Sequence, residues 1–107
     1  MTQATLKKFG TALGAKISRA YHYTAPENCA PKYAVWQEIM GISMAGDNRH
    51  TESGFVVIVD YFTDAEYDTN IDVIETFLDG YGSWTVESVQ YETDTGLIHY
   101  EWRLESA

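Results

Sequence analysis

Cysteine, proline and cations are scarce in this sequence: one Cys, two Pro and seven Lys or Arg in 107 residues. The lone Cys29 excludes an intramolecular disulfide framework and any zinc site built on cysteines. So few prolines, in a chain that is 45% hydrophobic, argue against a linker or a disordered tail. No run approaches the ~18 apolar residues that span a bilayer, so no membrane partner is expected. The first residues lack the charged-then-apolar layout of a secretory signal, because Lys7 and Lys8 interrupt it. A soluble protein made inside the cell is the expectation. With a net charge of −9, sequence-specific nucleic-acid binding is disfavoured, because neutralising phosphate needs cations. The length allows a single domain, large enough for one modest core without metal or disulfide support.

The charge is divided along the chain. Residues 1–26 hold Lys7, Lys8, Lys16 and Arg19 and no acid, while the remainder holds all 16 acids against Lys32, Arg49 and Arg103. The balance is +4 before residue 27 and −13 after it. Either a basic first helix lies beside an acidic body, or opposite charges of neighbouring copies meet head to tail.

Leu6, Phe9, Leu13 and Ile17 recur at the spacing of one helix stripe, with the lysines off it. Arg19 to Thr24 reads as a short strand with Tyr21 and Tyr23 on one face, ended by the loop from Ala25 to Pro31. Tyr33 to Ala45 reads as a longer strand with a bulge at Gly41, followed by a turn at Gly46-Asp47-Asn48-Arg49. The β-branched run Phe55 to Val59 predicts a central strand covered on both faces. After an acidic loop from Thr63 to Asp68, Thr69 can cap a helix carrying Ile71, Ile74, Leu78 and Tyr81, stopped by Gly80 and Gly82. Two strands follow. In the first, Trp84, Val86 and Ser88 alternate with Thr85, Glu87 and Val89; in the second, Ile98, Tyr100, Trp102 and Leu104 alternate with His99, Glu101, Arg103 and Glu105. Thr93-Asp94-Thr95-Gly96 between them is hairpin chemistry, with Gly96 free to take positive φ and Asp94 able to bond its own following backbone. The predicted class is α+β: one domain, α-β-β-β-α-β-β, a mainly antiparallel sheet with two helices packed on it.

Catalytic chemistry is not forthcoming. Asp94-Thr95-Gly96 matches the triplet that carries the carboxylate of aspartic proteases, but only one strand follows it, with no supporting apolar-Gly-Arg segment. A dimeric protease is therefore the enzyme alternative, and a hairpin turn is the preferred reading. His22, His50 and His99 have no ligand-like spacing; His99 reads as a solvated cross-strand partner of a Glu. Cys29 has no neighbouring His and reads as an ordinary thiol. Asp64-Ala65-Glu66-Tyr67-Asp68 lacks the Gly and distal Glu of a calcium loop. No phosphate cradle and no nucleophile elbow occurs. The expectation is no enzyme, no cofactor and no metal. Eight Tyr and three Trp are many for so small a core, and such residues dominate protein–protein contacts.

The segments 45–49 and 55–63, with Tyr91-Glu92-Thr93-Asp94-Thr95-Gly96-Leu97-Ile98-His99-Tyr100, resemble small prophage-encoded proteins of Gram-positive bacteria from the head-completion and tail gene cluster. Shared features are a Pro-x-Tyr motif like Pro31-Lys32-Tyr33, an Ala-Asp-Asn turn, and an acidic-Asp-Thr-Gly hairpin followed by His. Gly46 stands inside that turn here, a departure from the pattern. The element order is also similar to that of tail terminator proteins of long-tailed phages. That resemblance implies a non-catalytic virion protein of the neck, found in the virion and in the host cytoplasm during assembly. It implies a ring, hexameric in the usual form, that caps the tail tube and joins it to the head. The implied partners are other copies, the tail tube protein and the head-completion protein. The candidate oligomer interface comprises Leu6, Phe9, Tyr67, Tyr91 and Tyr100, and the candidate acidic lumen Asp64, Glu66 and Asp68. Another head-completion or minor tail protein is the nearest alternative. A small ligand-binding α+β module, signalled by a closed apolar pocket, is the alternative from a different class.

Overall fold

A computed structural model describes residues 3–39 and 54–106. Helix α1 (Gln3–Lys16) is followed by β1 (Ala20–His22), β2 (Tyr33–Glu38), β3 (Val56–Thr63), α2 (Asn70–Asp79), β4 (Gly82–Glu92) and β5 (Leu97–Ser106). The five strands form one sheet in the order β1-β2-β3-β5-β4. β1 runs parallel to β2, and every other neighbour is antiparallel. The fold is α+β and a single domain, in the predicted order. The expected bulge at Gly41, the turn at residues 46–49 and His50 lie outside the described residues.

The helix stripe is observed: Leu6, Phe9, Leu13 and Ile17 are all buried. Phe9 is the hub, fully enclosed and in edge contact with Trp36, Phe55 and Tyr81. Beneath it lie Ala34 and Trp36 of β2, Val57, Val59 and Tyr61 of β3, and Trp102 and Leu104 of β5. Ile74 and Leu78 of α2 complete the core, with Ile71 and Tyr81 partly buried against it. Each fully enclosed aliphatic side chain of this set contributes about 1.5–3 kcal/mol.

β3 is central, as its β-branched run predicts, but among the described residues helices cover it on one face only. Val57, Val59, Tyr61 and Thr63 face the helices, while Ile58, Asp60 and Phe62 are half-exposed on the other side. Both helices contribute to one core on the same face, and among the described residues no helix covers the opposite, open face. β1 is shorter than expected because Tyr23 takes φ 74° and ends the strand, so it does not share a strand face with Tyr21. Two more left-handed residues, Asn28 and Lys32, let a short loop make a parallel connection that ordinarily takes a longer crossover.

In β4 the pairing shifts between Val86 and Ser88. Glu87 is the extra residue, and the bulge reverses the alternation after it. Ser88 therefore pairs with Glu101 on the open face, while Val89 and Tyr91 fall on the helix face with Val86. The hairpin turn holds as predicted, with Gly96 at φ 73°. The side chain that bonds its backbone is Thr95 rather than Asp94: the Leu97 N–H donates to Thr95 Oγ1 at 3.2 Å.

Candidate functional site

Helix length decides what the sheet leaves uncovered. An α-helix of ten residues spans about 15 Å, whereas a strand of eleven spans about 36 Å. α2 reaches the near half of the β4–β5 hairpin, where Trp84 Nε1 donates to Asp79 at 2.7 Å and Trp102 Nε1 donates to Glu75 at 2.9 Å. Beyond it, Val86, Val89 and Tyr91 stay exposed on the helix side, in line with half-buried Ile98 and Tyr100 of β5. Tyr67 is 89% exposed, and with Tyr100, Ile71 and Asp72 it lines an open hollow of about 330 Å³. Three of the five expected interface residues, Tyr67, Tyr91 and Tyr100, thus lie at this end of the molecule. Leu6 and Phe9 do not: both are core residues, because the stripe that makes α1 amphipathic is spent on the sheet. Val86 and Val89 were missed, since strict alternation puts them on opposite faces; two adjacent polar residues, Glu87-Ser88, between two valines are the signal of the bulge that unites them.

The three acids of the expected lumen separate. Asp64 and Glu66 are exposed, but Asp68 turns inward. Its Oδ2 accepts from the hydroxyls of Tyr61 and Thr63, each at 2.7 Å, and its Oδ1 accepts the Asn70 N–H at 2.8 Å. Asn70 Nδ2 donates to the Tyr61 hydroxyl, which closes the network. Asp68, not Thr69, is therefore the side chain that caps α2; Thr69 makes no such bond. Burial pushes the Asp68 carboxyl up, but the Thr63, Tyr61 and Asn70 hydrogen bonds and the Lys32 charge together hold it below its ordinary value. Burial raises the Tyr61 hydroxyl, and its bond to Asp68 does the same.

The open face of the sheet carries a second cluster. His99 does not stand in solvent beside a Glu alone. Its Nε2 lies 2.7 Å from Asp60 Oδ1, its Nδ1 lies 3.3 Å from Glu92 Oε2, and its ring stacks on Phe62. Beside it, Tyr23, Pro26, Tyr33, Val35 and Phe62 line an open groove of about 320 Å³. At the β1 edge, His22 stacks between Tyr23 and Trp36 and bonds Glu38 at 2.8 Å, while the Tyr23 hydroxyl also donates to Glu38. Burial pushes the Glu38 carboxyl up, yet the bonds from Tyr23 and His22 bring it below its ordinary value.

Asp94 is exposed at the tip of a surface hairpin. The Cys29 thiol lies 3.8 Å from the Tyr21 hydroxyl. No protein-family model matches this chain, and no curated protein matches it.

Proposed function

We propose that this protein is a structural, non-catalytic component of a phage or prophage neck, of the tail-terminator type, that assembles into a ring from copies of itself. The observation that carries the reading is the uncovered helix-side face of the β4–β5 hairpin, where Val86, Val89, Tyr91 and Tyr67 are exposed around Tyr100. Exposed apolar and aromatic side chains gathered on one element mark a protein contact surface. β4 is also the outer strand of the sheet, so its free edge can pair with another chain.

The second surface of a head-to-tail contact is the outer side of α1, where Ala4, Thr11, Ala12 and Ala15 lie among Lys7 and Lys8. Its positive charge complements the acidic remainder of the chain, and a heterologous contact of this kind closes into a ring when the rotation allows. Asp64 and Glu66, both exposed, are the acids offered to a lumen that passes DNA without binding it. Asp68 is withdrawn from that role by its internal bonds. The tail tube protein and a head-completion protein are the proposed neighbours in the virion, with host cytoplasm the place of assembly. The hollows beside Tyr67 and Tyr23 are open rather than enclosed, a shape that suits a protein surface better than a small ligand.

Light scattering of the purified chain, together with particle images, tests the reading. A closed ring with a central hole is expected. A monomer at all concentrations, or a ring whose inner wall is formed by Lys7, Lys8, Lys16 and Arg19, overturns it.

A further inference from the structure

The open face of the sheet brings together three side chains that no feature of a neck protein requires. Asp60 of β3 and Glu101 of β5 are paired in direct register, and His99 lies opposite Phe62, two residues further along the same face. One ligand atom from each of Asp60, His99 and Glu101 lies within 4.8 Å of the other two. Like charges set directly opposite each other on adjacent strands destabilise a sheet. Neither carboxylate has a Lys or Arg partner among the described residues, and the nearby Arg103 is engaged with Glu105 at 3.6 Å.

The His99 ring sharpens this. Both of its nitrogens face carboxylate oxygens, which accept and cannot donate. A neutral imidazole carries one N–H and satisfies one of the two. A divalent cation in place of the second proton satisfies the whole cluster. Nδ1–H then donates to Glu92, the carboxylate-to-histidine orientation common behind metal-bound imidazoles, and the Nε2 lone pair points at the ion. Stacking on Phe62, at a centroid distance of 4.2 Å, already holds the ring in that plane.

We propose that Asp60, His99 and Glu101 form a binding site for a first-row divalent metal ion of the Zn²⁺ type, oriented by Glu92. One imidazole and two carboxylates are borderline ligands that suit Zn²⁺ or Co²⁺, whereas the all-oxygen shells of Ca²⁺ and Mg²⁺ have no place for imidazole. Tetrahedral Zn²⁺ sets its ligand atoms roughly 3.4 Å apart, a spacing reached here by rotating half-exposed side chains. Three protein ligands leave a coordination position free, and the groove lined by Tyr23, Tyr33 and Val35 lies beside Asp60 and His99. The inference is independent of the assembly reading.

The test is calorimetric titration of the full chain with Zn²⁺, and with Co²⁺ followed by visible absorbance. One saturable site per chain is expected, with a rise in Tm and a Co²⁺ absorption band of four- or five-coordinate intensity. His99→Gln, Asp60→Asn and Glu101→Gln are each expected to weaken binding at least tenfold, and Glu92→Gln about 10–100-fold. His22→Gln, at the other His–Glu pair, should bind as the parent does. Glu101→Gln carries the test if the His99 variant fails to fold, because Glu101 is half-exposed on a strand surface. Absence of a saturable site, or unchanged affinity in Glu101→Gln or a folded His99→Gln, overturns the proposal, whatever the particle images show.

Discussion

At Gly10 the backbone of α1 approaches Trp36 so closely that a Cβ atom would sit 2.5 Å from the indole ring, whereas at Gly14 a Cβ would meet nothing within 4 Å. Alanine in place of glycine favours a helix by about 1 kcal/mol at either position. At Gly10 that gain is outweighed by overpacking, which typically costs about 1–3 kcal/mol. Gly14→Ala should therefore raise the urea midpoint and Gly10→Ala should lower it. Asp68 permits a second test at this scale. Its folded carboxyl titrates below its unfolded one, so its stabilisation is present above the unfolded value and lost as pH falls through the folded value. Asp68→Asn should lower stability at neutral pH by about 1–3 kcal/mol, because an amide that turns its oxygen to the two hydroxyls sets its NH2 against the Asn70 N–H and cannot accept all three bonds. It should also flatten the loss of stability in acid, measured by urea titration at a series of pH values. The sequence made Asp68 visible as an acid before a helix but not as its cap. Thr69 is the better-placed residue on the usual pattern, and only the buried Tyr61 and Thr63 hydroxyls, from a strand five or more residues back, explain why Asp68 turns inward.

At the scale of elements, β5 and the helix stripe of α1 were legible because one residue in two, or in three and four, is apolar without interruption. β4 was legible as a strand but not in its faces, since one extra residue inverts everything after it. Val86 pairs with Trp102 and Ser88 with Glu101, so Glu87 lies outside the ladder. Deleting Glu87 should leave the register intact and change the urea midpoint little. Deleting Ser88 instead would set Glu87 opposite Glu101, and like charges facing across strands should lower stability measurably. The open-face cluster escaped sequence reasoning for a related cause. Asp60, Glu92, His99 and Glu101 have no motif spacing, and it takes the β3–β5 pairing across the intervening helix, with the β4–β5 hairpin, to bring them together.

For the whole molecule, the distinction between core and contact surface separates two classes of variant. Leu6→Asp places a charge in the core and should unfold the monomer, since loss of a buried leucine alone costs about 2–5 kcal/mol. Tyr91→Asp or Val89→Asp, on exposed positions, should leave circular dichroism unchanged and abolish assembly in light scattering. Raised salt should weaken assembly only modestly, because exposed ion pairs contribute about 0–1 kcal/mol each. The strand order has a temporal meaning as well. β5 lies between β3 and β4, yet it is the last of the five strands to leave the ribosome. Until it emerges, β3 lacks one of its two neighbours among the described strands and β4 lacks its one neighbour among them, and Phe9, translated well before them, waits for a lid that includes Trp102 and Leu104. Nascent chains stalled before Leu97 should remain protease-sensitive throughout, and protection should appear in one step once Ser106 clears the exit tunnel. Folding of this protein is thus tied to the emergence of one strand, β5, rather than to the steady lengthening of the chain.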